Sequence, residues 1–249
     1  MLRAKLNTHP IHSIDGFIAY AARYSSGFLD RIKGASEQET ARLGEMSGYS
    51  LPDTYCQFLQ RMGRKPADMT FEDCHISLRA VTGFYEAMRI NPRLTLPDAC
   101  PVIGAYGVAS GEFCLDMDSG PDPHIVIVTD EDEIEFYATS LLTLLYHTAF
   151  YDYRLTATPR QDYIRSYDDV GRRDRRPEAR RLAERLDFRG QWFDEEVNFH
   201  GERGSAGLYF SQPPQHSLSL RVAPGTLAEA QAIGSEFARA LGLQASNRR

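Results

Sequence analysis

Residues 36–63, SEQETARLGEMSGYSLPDTYCQFLQRMG, predict two short helices joined at a tight corner. Ser36 and Glu39 have the spacing of a capping box, in which each side chain accepts a hydrogen bond from the backbone N–H of the other residue, so a helix starts there. Gly48 can end this helix, and Pro52 suits the first turn of the next one because that turn tolerates a missing donor. Apolar residues then recur every three or four positions, so one face of the second helix has to be buried. The residues of this stripe are Leu51, Tyr55, Phe58, Leu59 and Met62.

The segments on either side predict further helices and then a change to strands. Residues 13–31 and 78–88 carry apolar residues at helical spacing. From residue 97 onward, short runs rich in aromatic and β-branched residues alternate with Gly, Pro and Asp clusters, which predicts an antiparallel meander. Ser140 then caps an apolar helix over residues 141–150 that can cover one sheet face. The predicted strands are 102–106, 112–117, 125–129 and 134–137.

Two blocks of this sequence resemble the SUKH superfamily, also described as Smi/Knr-like domains, which is shared by fungal cell-wall-synthesis regulators and many bacterial toxin-immunity proteins. The second block resembles the central strands of the family, where an aromatic-x-Leu-Asp strand turns back through Gly into an aliphatic strand. The order of helices, meander and helix is also that of the family. The matching residues of the first block are Gly48, Leu51, Pro52, Tyr55, Phe58, Leu59 and Gly63, and those of the second are Phe113, Leu115, Asp116, Gly120, Ile125 and Val126.

The resemblance implies an α+β fold in which an antiparallel meander packs against helices. We expect three parts: a SUKH-like domain with an N-terminal helical extension over residues 1–155, a linker over 156–177, and a small α+β unit over 178–249. The linker is proposed from its high charge and its Gly and Pro content. The C-terminal unit has a predicted α-β-β-α order, formed by a helix at 179–188, strands at 208–211 and 218–222, and a helix at 226–241 with Leu227, Ala230, Ile233, Phe237 and Leu241 on one face.

Composition limits the functional classes. A net charge of -6, with 42% hydrophobic and 25% charged residues, is typical of a globular protein and argues against nucleic acid as the main partner. The first ten residues lack the apolar core of a secretory signal, and the longest uncharged run, 138–151, is shorter than the roughly 20 residues that a bilayer requires, so we expect a cytoplasmic protein without a membrane partner. Cys56, Cys74, Cys100 and Cys114 have no metal-site or disulfide spacing, and we expect free, mostly buried thiols.

The strongest candidate for a binding site is a set of eight carboxylates within and around the meander. Their negative potential would steer a basic partner toward this edge and raise its rate of association. The structural alternative is that these residues simply form solvated turns, where Asp is common. The partner-binding candidates are Asp116, Asp118, Asp122, Asp130, Glu131, Asp132, Glu133 and Glu135.

No catalytic, metal or cofactor site is predicted. Residues 116–127 begin like a calcium loop but have Pro121 and Ile127 where the loop requires Gly and Glu, and the Cys and His residues lack zinc spacing. A nucleophile elbow, a phosphate loop and a dinucleotide fingerprint are all missing from the sequence. The arginine-rich run has the composition of a solvated linker and helix face, with contact to an anionic partner as the alternative. Its residues are Arg172, Arg173, Arg175, Arg176, Arg180 and Arg181.

The family resemblance implies an immunity protein that binds and neutralises a cognate bacterial polymorphic toxin. The toxins bound by such proteins are often nucleases with a basic cleft. It also leaves a second function open, that of a regulatory scaffold which recruits several protein partners without inhibiting a toxin. A third possibility, a hydrolase without a recognisable motif, would require a pocket that holds titratable groups with perturbed pKa values. The resemblance implies no particular oligomeric state.

Overall fold

The computed structural model of the chain describes residues 12–91, 94–107, 111–129, 133–157, 162–165, 174–212, 218–223, 225–242 and 244–245. The chain divides into two compact units, Met1–Thr148 and Ala149–Arg249, named unit 1 and unit 2. Both units combine helices with antiparallel sheets, so the predicted α+β class is confirmed.

Unit 1 starts with helices, continues through short strand pairs and ends with a meander followed by a last helix, whose final residue already belongs to unit 2. Its helices are α1 (Ile14–Tyr24), α2 (Phe28–Arg31), α3 (Glu37–Ser47), α4 (Asp53–Met62), α5 (Leu78–Ile90) and α6 (Leu141–Ala149). Its short antiparallel pairs are β1 (Ile32–Lys33) with β2 (Lys65–Pro66), and β3 (Thr70–Phe71) with β4 (Cys74–His75). Its meander consists of β5 (Val102–Gly104), β6 (Glu112–Asp116), β7 (His124–Val128) and β8 (Ile134–Ala138).

The capping box predicted at the start of α3 is present. The backbone N–H of Glu39 donates to Ser36 Oγ at 3.3 Å, and the backbone N–H of Ser36 donates to Glu39 Oε2 at 2.8 Å. Arg64 holds the same carboxylate through two nitrogen atoms, with Nε 2.9 Å from Oε1 and Nη2 2.7 Å from Oε2. The Arg64 hydrogen bond and those from Ser36 lower the pKa of Glu39 to about 2. Gly48 ends the helix at a φ of 78°, a left-handed conformation that glycine adopts without steric cost.

The apolar stripe of α4 is buried, as predicted. Tyr55, Phe58, Leu59 and Met62 are each at most 1% exposed, whereas Leu51 before the helix is half-buried. Full burial of one large apolar side chain contributes about 1.5–3 kcal/mol, so these four residues supply a substantial part of the stability of unit 1.

The meander forms a four-stranded antiparallel sheet in the order β5-β6-β7-β8, which confirms the predicted strands to within one or two residues at their ends. The register places Asp116 opposite His124 at one end of β7 and Ile134 opposite Val128 at the other. The first three strands are almost entirely buried on both faces, and Ser140 caps α6 by accepting a hydrogen bond from the backbone N–H of Thr143 at 3.2 Å.

Unit 2 is built around one antiparallel sheet with the strand order β10-β11-β12-β13-β9-β14 among the described residues. A π-helical turn, Phe150–Arg154, continues from α6 at its start. The remaining elements are β9 (Asp162–Arg165), α7 (Arg176–Arg185), β10 (Arg189–Gly190), β11 (Asn198–Arg203), β12 (Ala206–Ser211), β13 (Ser219–Ala223), α8 (Leu227–Leu241) and β14 (Gln244–Ala245).

The helices α7 and α8 share a hydrophobic core with one face of this sheet. Leu182 of α7 and Phe237 of α8 belong to the same buried cluster as Phe199, Phe210 and the other apolar residues of β11, β12 and β13. Phe199 and Phe210 are cross-strand partners whose rings stack with centroids 4.8 Å apart. The alternation of apolar and polar residues along these strands therefore directs one face to the helices.

Unit 2 differs from the small extension that the sequence predicts. The pairing of β12 with β13 and the extent of α8 are as predicted, but Leu227 is 42% exposed and does not belong to the buried face of α8. Residues 162–165, expected in the linker, form a strand between β13 and β14, and the division between the units falls after Thr148 rather than after residue 155. Residues 158–161 and 166–173 of the expected linker lie outside the described residues. The predicted α-β-β-α order is wrong because it omits β10 and β11, which precede β12 in the chain, and also β9 and β14, which join the sheet from distant segments.

Candidate protein-interaction surface

The acidic residues at the β6–β7 hairpin shape the turn. Asp116 Oδ1 accepts a hydrogen bond from the backbone N–H of Asp118 at 3.2 Å. Ser119 Oγ donates to the backbone oxygen of Asp116 at 2.6 Å and accepts from the backbone N–H of His124 at 2.8 Å. Partial exclusion of water raises the pKa of Asp122, an effect that nearby His124 opposes. Asp116 therefore has a structural function in the turn, while Asp118 and Asp122 remain exposed to solvent.

The five predicted acidic residues that the structure describes fall into two groups. Asp116, Asp118 and Asp122 lie at the beginning of β7, whereas Glu133 lies beyond its end and Glu135 lies on β8. The five residues of β7 span about 13 Å at the usual rise per residue, so the two groups are separated by the length of the strand. Asp130, Glu131 and Asp132 lie outside the described residues.

The exposed element of the meander is β8, the last strand of the sheet. Its side chains contrast with those of the buried strand β7, because Ile134 is 52% and Phe136 is 56% exposed. Glu133 and Glu135 are exposed as well. A terminal strand that leaves two large apolar side chains in solvent is unusual in a monomeric protein, since such edges are normally covered or protected by charges.

The two faces of β8 differ in chemistry. Ile134 and Phe136 lie on one face, opposite Val128 and Val126 of β7, and the ring of Phe136 meets the ring of His124 edge-on at 5.5 Å. This face is named the apolar face of β8.

The opposite face carries Glu135, together with Tyr137, whose ring contacts Phe113 at 4.8 Å. The hydroxyl of Tyr137 donates to Glu72 Oε1 at 2.9 Å, so a further carboxylate lies beside the strand. Glu133 has the same alternation parity as Glu135 and belongs to this side. This face is named the acidic face of β8. The number of carboxylates in the sequence alone does not indicate which residues lie on it.

Unit 2 contains a buried His–Asp pair that the sequence does not reveal. His200 is 1% exposed, and its Nδ1 lies 3.0 Å from Oδ1 of Asp194, which also accepts the backbone N–H of His200 at 2.6 Å. Burial, with a contribution from Arg180, lowers the pKa of His200 to about 3, so the ring is neutral and its Nδ1–H donates to the carboxylate. Three aromatic rings surround the imidazole with centroids 5.0–5.1 Å away, and they belong to Phe150, Phe193 and Tyr209.

The His200 ring is separated from solvent while Asp194 remains partly exposed, so the hydrogen bonds between them fix the ring within the core of unit 2. No sequence signal could have revealed it, because residues six positions apart in a loop and a strand match no catalytic motif.

The arginine run of α7 is largely engaged within unit 2. Arg176 Nε lies 2.8 Å from Asp174 Oδ1, and the guanidinium of Arg180 lies 5.2 Å from the centroid of Phe199. Arg175 donates to the backbone oxygen of Leu241. Arg175 also lines a cavity of about 470 Å³ between α7 and α8 together with Glu178, Arg181, Leu182, Arg185, Ala240 and Leu241. Arg172 and Arg173 lie outside the described residues.

In the part of the chain that the structure describes, no cluster of His, Cys, Asp and Glu could hold a metal ion. Over the same residues, no helix combines the length and apolar character that spanning a membrane requires. Comparisons with protein-family models, with curated proteins and with solved structures find no match for this chain.

Proposed function

We propose that this chain is a cytoplasmic immunity protein of the SUKH type, which binds a cognate bacterial polymorphic toxin through unit 1 and neutralises it by covering a functional surface. The observation that carries the proposal is the β8 edge, where Ile134 and Phe136 are more than half exposed beside acidic side chains. The SUKH-type assignment is supported by the family-like motif around the α3–α4 corner and by the order of helices, meander and helix.

The β8 edge has the composition of a protein-binding surface. Apolar side chains at the centre of an interface supply binding energy because they leave water, and charged side chains around them set orientation and partner choice. Here Phe136 and Ile134 supply apolar contact area on one face of β8, while Glu133 and Glu135 supply charge on the opposite face. The two apolar residues are adjacent on one face, so a partner can cover both with a single contact.

The charge of this surface favours a basic partner. Glu135 is exposed on β8 and Glu133 is exposed directly before it. Glu72 lies against Tyr137, and Asp118 and Asp122 add negative charge at the far hairpin. Negative potential at a binding surface accelerates association with a positively charged partner and opposes association with acidic proteins. A nuclease toxin has this complementary charge, because its substrate channel has to attract phosphate groups.

The proposal assigns no catalytic step to the chain. Its mechanism is stoichiometric: the toxin is inactive while the complex persists, so protection depends on a slow dissociation rate and on at least one copy of the chain for each toxin molecule. In the His200–Asp194 pair, which has the residue types of a catalytic dyad, the His200 ring is buried within unit 2.

A regulatory scaffold is the second candidate, and the observation that favours it is the presence of two compact units. Two separate surfaces would allow two partners to bind at once. A pull-down with the full chain separates the two functions: a scaffold retains several endogenous proteins, whereas an immunity protein retains one cognate toxin tightly.

Co-expression of the full chain with the toxin encoded beside its gene tests the proposed function. We expect growth to be rescued and the two proteins to purify together in a fixed ratio. The double variant Glu133→Lys, Glu135→Lys should lower affinity, while the matched variant Asp118→Lys, Asp122→Lys at the other end of β7 should have a smaller effect. Continued killing without co-purification of the wild-type chain contradicts the proposal.

A further inference from the structure

Among the described residues β8 is the terminal strand of its sheet, so part of its backbone N–H and C=O groups face away from β7. Thr129 N–H donates to the backbone oxygen of Glu133 at 3.1 Å, which makes Thr129 and Glu133 a hydrogen-bonded pair. In an antiparallel ladder such pairs alternate with pairs whose N–H and C=O groups point outward. Glu133 and Glu135 therefore direct their backbone groups to β7, and Ile134 and Phe136 direct theirs to the outer edge.

The outer edge also specifies which side chains a further strand would carry. A strand paired with β8 alternates its own side chains between the two faces. On one face they would meet Ile134 and Phe136, and on the other they would meet Glu133, Glu135 and the nearby Glu72. The complementary strand therefore alternates apolar and basic residues.

In the register centred on Glu135, a second copy of the chain is a poor occupant of this edge. Antiparallel pairing of β8 with itself about Glu135 would bring Ile134 opposite Phe136, which suits the apolar face. The same register places the two Glu135 carboxylates directly opposite each other, and like charges in that position destabilise a strand pair. Charge complementarity favours a basic segment of a different protein.

We propose that β8 is the docking strand for an extended segment of the toxin, one that alternates basic and apolar residues and adds to the meander as a fifth strand. This inference rests on the proposed function, and it names the mode of recognition and the kind of segment recognised. Backbone hydrogen bonds to Ile134 and Phe136 hold the segment, and the two faces of β8 select its side chains.

A synthetic peptide of alternating lysine and valine, blocked at both ends and carrying a fluorophore, tests this mode with the full chain. We expect saturable binding by fluorescence anisotropy, and slower hydrogen exchange at the amides of Ile134 and Phe136 in the complex. N-methylation of alternate residues removes the donors from one edge of the peptide at a time. Methylation of the edge that faces β8 should abolish binding, and methylation of the other edge should preserve it.

Two substitutions at one position separate the backbone from the side chain. Ile134→Ala removes the side chain and keeps the outward N–H, whereas Ile134→Pro removes both. Because this N–H does not bond to β7 and Ile134 is the first residue of its strand, proline is tolerated there. We expect Ile134→Pro to bind the peptide about tenfold more weakly than Ile134→Ala, the effect of losing one hydrogen bond. Glu135→Pro, which removes an inward N–H, should instead destabilise unit 1.

Each outcome of these binding experiments either supports or overturns strand addition. Binding that is blocked by methylation of one peptide edge only supports strand addition. Equal binding by both methylated peptides, equal binding by the two Ile134 variants, dimerisation of the chain through β8, or no saturable binding at about millimolar peptide overturns it. The proposed function fails separately, if the co-expressed toxin still kills. Equal affinity of Ile134→Ala and Ile134→Pro for the toxin would remove strand addition and leave neutralisation intact.

Discussion

Lowering the pH should reduce the stability of unit 2 because of His200. This reduction should be larger than an ordinary surface histidine would cause. In the folded protein, burial lowers the pKa of this imidazole to about 3, while the unfolded chain has the ordinary value near 6.5. Below pH 6.5 the unfolded state therefore binds a proton that the folded state does not. The stability that depends on a neutral His200 is complete above pH 6.5 and is lost progressively as the pH falls toward 3.

The magnitude follows from the two pKa values. At pH 5 the unfolded state gains about 2 kcal/mol from protonation, since 1.5 pH units below 6.5 at 1.36 kcal/mol each gives this amount. Asp194, whose Oδ1 lies 3.0 Å from Nδ1, would stabilise a proton on the ring, so 2 kcal/mol is an upper bound. For a unit of this size the corresponding decrease in melting temperature is about 10 °C.

The single tryptophan of the chain makes this measurement specific to unit 2. Trp192 lies beside Phe193, with ring centroids 5.6 Å apart, and Phe193 contacts His200 at 5.0 Å. Urea unfolding followed by Trp192 fluorescence at pH 7 and pH 5 gives the free energy of unfolding of this region. His200→Gln is the matched variant, because it removes the titrating group and retains a polar side chain of similar length. An equal loss of stability between pH 7 and pH 5 in the wild type and in His200→Gln would refute the reasoning.

Three further predictions concern unit 1. Phe58→Ala should reduce the free energy of unfolding by about 3–5 kcal/mol, because it removes a fully buried ring from the α4 stripe, and urea unfolding monitored by circular dichroism measures the loss. Gly111→Ala should weaken the β6–β7 pair, since Gly111 has a φ of 79° and a Cβ there would overlap the backbone oxygen of Val128; faster amide exchange along β7 is the readout. Alkylation of the native chain at pH 7 should modify Cys56 first, because Cys56 is half-buried while the three other thiols are buried, and peptide mass mapping identifies the site.

Controls and contrary outcomes follow from the same burial data. Gln57→Ala changes an exposed neighbour of Phe58 and should leave stability nearly unchanged. A cost near 1 kcal/mol for Phe58→Ala, unchanged exchange in Gly111→Ala, or alkylation of Cys114 before Cys56 would each contradict the packing described for unit 1.

The helices and the meander of unit 1 were predictable because their signals are local. Each helix signal involves residues that lie within one or two helical turns of one another. These signals are the Ser36–Glu39 capping box, the glycine at position 48 and the apolar stripe that repeats every three or four residues. The strands of the meander follow one another in sequence, so each pairs with its immediate neighbour. In both cases the interactions that determine the structure lie within one continuous stretch of the sequence.

The sheet of unit 2 was only partly predictable because its pairings connect distant segments. β9 pairs with β13, so Ile164 lies opposite Leu220. β9 contains Tyr163 and Ile164 but is only four residues long, and the surrounding arginines and glycine favour a linker interpretation. Strands of two residues, such as β10 and β14, are likewise too short to show an alternation of apolar and polar residues.

The sequence indicated the acidic residues of the meander, but not the exposed apolar side chains of β8. Counting carboxylates identified the acidic character of the meander and suggested one patch, whereas the length of β7 places the hairpins at its two ends. The exposure of Ile134 and Phe136 was not predictable, because an alternating run gives no indication of whether its strand is central or terminal. Exposure depends on which strands pair on either side.

Hydrogen–deuterium exchange of the full chain, measured alone and in complex with the toxin encoded beside its gene, tests the central claim most directly. The account predicts that the amides of Ile134 and Phe136 become protected in the complex, with little change at the buried strands of unit 2. Protection confined to other elements, with β8 exchanging as fast in the complex as in the free chain, would contradict it.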